Sequence, residues 1–295
     1  MADTGNRQWS GKTDGQTWML KSLIFMFKWM NIRILYGVMA CVIPFYMLFS
    51  RKAYRAAYSY FRERHGCTPF RSFINVYLSQ YTFGQVILDR FAFYAGKRFD
   101  ITIYGNEQYL DLIEGKEGFI MTSSHVGSYE LAGYHLKATG KSINAIAYSG
   151  ETETVKKNRE KMLGRHNINI IPVKEDLSHL FAINSALSEG NIVSIPGDRL
   201  FGSTKYTSCM FLGKEAKFPL GPFATAVQRE VPMLAIFVMK ESTRKYSIIV
   251  KRIDIPDCSN RREQMKRMTE EFAGLLEGIV NRYPLQWFNF YDFWE

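Results

Sequence analysis

From residue 99 onward, short apolar runs alternate with helical stretches, and no other feature constrains the fold of this chain as strongly. The runs at 99–104, 119–121, 143–148, 169–173 and 192–195 are each too short for helices and bounded by polar or glycine-containing turns. Between them lie helical patterns at 107–114, from the turn at His125 to Thr139, 155–165 and 177–189. Such alternation predicts an α/β fold with a mixed, largely parallel sheet flanked by helices. Sheets of this kind bind ligands at the carboxyl ends of their strands. His125 follows one such end and Asp198 with Arg199 follows another.

The amino terminus follows a different rule. Residues 1–17 are polar and read as a loose tail, and 18–50 are strongly apolar. Their cleanest part, 34–50, holds 17 uncharged residues with Pro44 inside. That falls just short of the roughly 20 residues a straight helix needs to cross a bilayer. The run sits too far from the start for a cleaved signal peptide. Arg51, Lys52 and Arg55 follow at once, which places the remainder on the cytoplasmic side. The expectation is a helical membrane-anchoring segment, either a single anchor or an interfacial helix. Residues 51–98 then read as a helical cap, with Tyr54, Tyr58 and Phe61 on one side and arginines on the other, and 99–295 as the α/β domain.

Charge leaves several partners open. With 38 Lys and Arg against 28 Asp and Glu, the formal charge of +10 suits nucleic acid, an anionic membrane surface or an acidic protein. No nucleic-acid reading element accompanies it, so nucleic acid is not expected. The four cysteines are far apart and form no C-x-x-C pair, which argues against a zinc or dithiol site; no metal is expected. A phosphate loop at Gly11-Lys-Thr13 lacks its upstream glycine and a preceding strand, and no G-x-S-x-G elbow is present.

The chemistry-bearing pair is His125 and Glu130 in Thr122-Ser-Ser-His-Val-Gly-Ser-Tyr-Glu130. A five-residue step turns a side chain about 140° around an ideal helix. The two can meet only with His125 on the turn before the helix and Glu130 in its first turn. An imidazole held by a carboxylate is the pair that general-base catalysis on a hydroxyl needs. A second cluster, Lys157, Lys161 and Arg165, steps by four along one helix face, a surface for an acidic carrier protein or a phosphorylated lipid.

In its ordered set of features the chain resembles the lysophospholipid-acyltransferase superfamily, and within it the late acyltransferases of lipid A biosynthesis. The likeness rests on the anchor-like amino terminus, His125-x4-Glu130 after a strand, the turn Ile195-Pro-Gly-Asp-Arg199, the block Val231-Pro-Met-Leu-Ala-Ile-Phe237 and the aromatic ending Tyr283-Pro-Leu-Gln-Trp-Phe288. It departs at the second block, where the family usually reads Pro-Asp-x-Asp. Asp198 is the one clear acidic counterpart, and Arg199 is similar to a turn of the glycerol-phosphate branch.

The resemblance implies acyl transfer from an acyl carrier protein thioester, or acyl-CoA, to a hydroxyl or amine of a membrane lipid at the cytoplasmic face of the bacterial inner membrane. A lipid A precursor is the leading acceptor, with an aminolipid, a polyene-type lipid or a lysophospholipid as alternatives and a non-catalytic binding module as the competing class. No cofactor beyond the thioester is expected. His125 would take the acceptor proton, Glu130 would fix the imidazole, and Gly127 with amides at the helix start would hold the oxyanion. Arg159, Asp198 and Arg199 are the substrate-binding candidates. Ser123, Ser124 and Ser128 are assigned turn and cap roles, which favours direct attack over an acyl-enzyme.

Overall fold

The computed structural model describes residues 27, 29–136, 138–148, 167–173, 176–200 and 205–294. Helix α1 spans Ile32–Phe49 and α2 Arg51–Ser59, extended by a π-helical turn at Tyr60–Arg64; α3 runs Pro69–Tyr94. The sheet strands follow: β1 Asp100–Tyr104, β2 Phe119–Ser123, β3 Ile143–Tyr148, β4 Ile168–Val173, β5 Ile192–Pro196, β8 Met233–Lys240 and β9 Lys245–Ile253. A separate two-residue hairpin joins β6, Tyr206–Phe211, to β7, Lys214–Pro219. The remaining helices are α4 Asn106–Glu114, α5 Glu130–His135, α6 Ser178–Ser188, α7 Gly221–Arg229 and α8 Arg261–Arg282.

The seven-stranded sheet has the order β1-β9-β8-β2-β5-β3-β4. Strands β8, β2, β5, β3 and β4 run parallel, and β9 turns back antiparallel to β8 with β1 parallel to β9. The α/β expectation with a mixed, largely parallel sheet is met. Strand β8 shows why the centre is apolar throughout, since every residue of Met233–Lys240 is buried. Met233, Ala235, Phe237 and Met239 pack toward α6, α7 and α8, while Leu234, Ile236 and Val238 pack toward α4 and α5. The period-two alternation of a strand therefore feeds two cores, one on each face.

Helix α1 is, among the described residues, the one helix long and apolar enough to cross a membrane by length and composition. Ile32, Leu35, Tyr36, Ile43 and Met47 are nevertheless buried, packed along α3. Pro44 removes the amide that would donate to Ala40 one turn back. The Tyr77 hydroxyl of α3 donates to that carbonyl at 3.1 Å instead. Thr68 caps α3 through the Arg71 amide, with Pro69 at its first position. The helix ends where Gly96 adopts a left-handed φ of 88° and the Lys97 amide returns to the Ala92 carbonyl.

Candidate active site

Strands β2 and β5 pair in parallel with Ser123 opposite Pro196. Equal steps beyond a paired position stay side by side, so two residues further on His125 lies beside Asp198. Asp198 holds it twice: the His125 amide donates to Oδ2 at 2.7 Å and Nδ1 bonds Oδ1 at 2.8 Å. An ionised carboxylate only accepts, so the neutral ring carries its proton on Nδ1 and leaves Nε2 as its proton-accepting nitrogen. The turn that delivers Asp198 needs glycine before it. A Cβ on Gly197 would sit 2.6 Å from Thr122 Oγ1 and 2.8 Å from the Phe272 ring.

Electrostatics favours that assignment. Burial lowers the His125 pKa below its ordinary value, Asp198 opposes this, and Arg199 adds to the lowering. Burial pushes the Asp198 carboxyl upward, but His125, its two hydrogen bonds and Arg199 outweigh it and hold the group below its usual range. The result is a neutral imidazole against an anionic carboxylate near neutral pH. Asp198 is 1% exposed and the His125 side chain 16%, so the imidazole reaches the surface while its partner does not.

The expectation that Glu130 fixes the His125 tautomer is corrected at Nδ1, where the carboxylate is that of Asp198. Glu130 opens α5 and ion-pairs with Arg90 of α3 at 2.7 Å. That pair ties the helix start to α3. Burial and the position on a neighbouring strand decide which acid serves the ring, and spacing along the chain does not.

Gly127 directs its amide elsewhere than the expected oxyanion. Its amide donates to the Gln286 carbonyl at 2.9 Å, and the Ser128 amide donates to Val238 at 2.8 Å. These donors are committed to the scaffold and unavailable to an oxyanion. Gly127 is required for a different reason, since at φ 52° an added Cβ would lie 1.9 Å from the Val238 carbonyl oxygen. Arg199 turns toward the carboxyl-terminal segment, donating to the Phe288 carbonyl at 3.0 Å and stacking over Tyr291. Arg159 and the Lys157, Lys161 and Arg165 stripe lie outside the described residues.

Sequence reasoning missed the strap that holds the His125 loop. The Phe288 amide donates to the His125 carbonyl at 3.0 Å, and Val126 bridges Trp287. The Gln286 side chain accepts from the Lys240 amide at 2.9 Å and donates to the Lys240 carbonyl at 2.8 Å. Behind this strap, Asp89 is fully buried and receives hydrogen bonds from Tyr36, Tyr246 and Lys240. The network joins α1, α3 and the ends of β8 and β9. The only sequence signal for it was a pair of charges, Asp89 and Lys240, inside apolar runs.

A family model described as "Bacterial lipid A biosynthesis acyltransferase" matches residues 89–295. The matched region takes in Asp89, Arg90, the His125 loop, Asp198 and the carboxyl-terminal strap. No curated protein matches the chain.

Proposed function

The chain belongs to the bacterial lipid A biosynthesis acyltransferase family, and from that membership we propose that it moves a fatty acyl group from an acyl carrier protein thioester to a hydroxyl of a lipid A precursor. Acyl-CoA is the second donor, and an amine or another membrane lipid the second acceptor. The observation that carries the reading is the double grip of Asp198 on a neutral His125 at the carboxyl edge of the sheet. A net charge of +10 suits an acidic carrier protein and an anionic membrane surface.

In this mechanism Nε2 of His125 takes the acceptor proton as its oxygen attacks the thioester carbonyl. The tetrahedral intermediate collapses, the carbon–sulfur bond breaks, and the thiolate leaves with the proton from the imidazolium. Ester and thiol are the products. Asp198 stabilises the imidazolium and keeps the ring oriented. Glu130 supports the site through Arg90, holding the first turn of α5 against α3.

The test is an acyl-transfer assay read by intact-lipid mass spectrometry, with carrier-protein and CoA thioesters, a panel of membrane-lipid acceptors, and His125→Ala alongside. One acyl mass gained by a single acceptor class with wild type, and lost by several orders of magnitude in the variant, supports the reading and names the acceptor. Equal, negligible turnover by both folded forms moves the assignment to a lipid- or carrier-binding module.

A further inference from the structure

We propose that α1 lies along one leaflet of the membrane instead of crossing it, with Ile34, Val38, Val42, Phe45 and Phe49 turned toward the acyl chains. The inference rests on the membrane association implied by the proposed function. It adds an orientation that length and apolar composition leave undecided.

Both ends of α1 pack on the same globular body. Ile32 and Leu35, at its start, cluster with Leu88 and Ala92 near the end of α3. Ile43 and Met47, near its end, share a cluster with Tyr60 and Val76. A crossing helix of 18 residues would separate these two ends by about 27 Å along the membrane normal. The body would then have to stand on both sides of the bilayer, or pass through it. Buried polar groups forbid the second option, because Tyr36 of α1 is hydrogen-bonded to Asp89, and Lys240 and Tyr246 close the same network. Charged groups at that depth are costly, and these tie α1 to the edge of the sheet.

The helix surface is divided to match. The buried stripe Ile32, Tyr36, Ile43 and Met47 faces α3. Two residues out of phase, about 200° around the axis, comes the exposed stripe. Ile34 is 55% exposed, Val38 57%, Phe45 64% and Phe49 86%. Phe70, at the start of α3, adds a further exposed apolar group. Arg51, Lys52 and Arg55 are exposed directly beyond the stripe, and among the described residues none of the three forms an ion pair. An apolar face bordered by cations fits a leaflet with anionic headgroups. Even the Ala40 carbonyl freed by Pro44 is satisfied from α3, on the side away from lipid.

Orientation has a functional consequence. Helix α3 holds α1 to the carboxyl edge of the sheet, bonded to Lys240 through Asp89 and to Glu130 through Arg90. With α1 flat in the leaflet, that edge and His125 sit near headgroup level, where an acceptor lipid presents its polar end without leaving the membrane.

The experiment uses the full chain with Cys41, Cys67 and Cys258 replaced by Ser, the buried Cys209 being left in place. Single cysteines at positions 34, 38, 45 and 49 carry nitroxide labels. Co-sedimentation with phosphatidylethanolamine–phosphatidylglycerol vesicles is read first, then label depth from collision with oxygen and with a water-soluble nickel chelate. Flat insertion gives four depths agreeing within about 5 Å, half a helix diameter. Depths spreading over about 20 Å along the chain indicate crossing and overturn the proposal. Protein left in the supernatant with these vesicles overturns the membrane association beneath it as well. The triple variant Arg51→Glu, Lys52→Glu, Arg55→Glu, in the unlabelled chain, is expected to weaken binding to the anionic vesicles by at least about tenfold. Unchanged binding removes the cation border from the proposal.

Discussion

Asp198 grips His125 at two points, accepting both its backbone amide and its Nδ1 proton, so that one buried carboxylate fixes loop and ring together. The two residues are 73 apart in the chain and meet because β2 and β5 are adjacent parallel strands. Since Asp198 is almost wholly buried, water cannot substitute for it as the ring's partner.

Asp198→Asn is therefore expected to lower kcat/KM by about 10³- to 10⁴-fold, the scale seen when an orienting carboxylate is neutralised and the tautomer is lost. Asn keeps the shape and the acceptor for the His125 amide, so the fold should survive. Steady-state kinetics with a thermal melt checks this. Loss of activity within tenfold of wild type would remove Asp198 as the orienting group.

Glu130 and Arg90 should behave as one unit. Each side chain is partly exposed, 32% for Arg90 and 20% for Glu130, so breaking the pair is expected to destabilise by about 1–3 kcal/mol. If Glu130 acts through Arg90, Glu130→Gln and Arg90→Gln lower kcat/KM by similar factors and the double variant is no worse than either. A double-mutant cycle on activity measures this. Strictly additive losses would give Glu130 a separate role at the site.

The alternation from residue 99 onward made the α/β class legible, because strand and helix periods differ and each short run had turn signals at its ends. The order of the strands was not legible. Nothing local states that β5 lies beside β2, and without that neighbour Glu130, five residues from His125, is the natural choice of acid. The β6–β7 hairpin was missed for a similar reason: its turn is Leu212-Gly213, both at positive φ, without the Asn-Gly or Asp-Gly signal. The apolar run at 34–50 was read correctly as a helix, but its docking on α3 depends on Tyr36, Tyr77 and Pro44 finding partners far along the chain. The strap at Gln286–Phe288 looked only aromatic in sequence, and its work is done largely by backbone groups.

Lys240→Met should cost the fold about 3–5 kcal/mol, since it strands a fully buried Asp89 carboxylate. Burial already raises the Asp89 pKa and lowers that of Lys240, with each partner opposing the shift of the other. Replacing both residues, as Asp89→Leu with Lys240→Met, should recover part of the loss. Chemical denaturation of the three variants decides it, and a double variant less stable than Lys240→Met would contradict the assignment.

Gly127→Ala combines a positive φ with a Cβ 1.9 Å from the Val238 carbonyl oxygen, so the loop must move or the strand must yield. Strained substitutions of this kind cost of order 1–3 kcal/mol each. Displacing the loop also moves the His125 carbonyl off the Phe288 amide. The expected outcome is a lowered melting temperature with kcat falling more than KM rises. A fully active, fully stable variant would show that the loop is less constrained than its contacts imply.

The pH profile tests the proposed base role of His125 directly. Burial, the largest cause, depresses His125 below 6.5 in the folded protein, so the neutral base is complete above 6.5 and is lost only as pH falls through the lower folded value. The acid limb of kcat/KM therefore lies below pH 6.5. The same sign holds for stability: the contribution of a neutral, buried imidazole is present above the unfolded value and disappears as pH falls. Asp198 raises the His125 pKa and Arg199 lowers it, so the two variants should move the limb in opposite directions. Asp198→Asn shifts it to lower pH and Arg199→Gln shifts it toward 6.5. Limbs that move together, or stay fixed in both, would mean that a group other than His125 sets the profile.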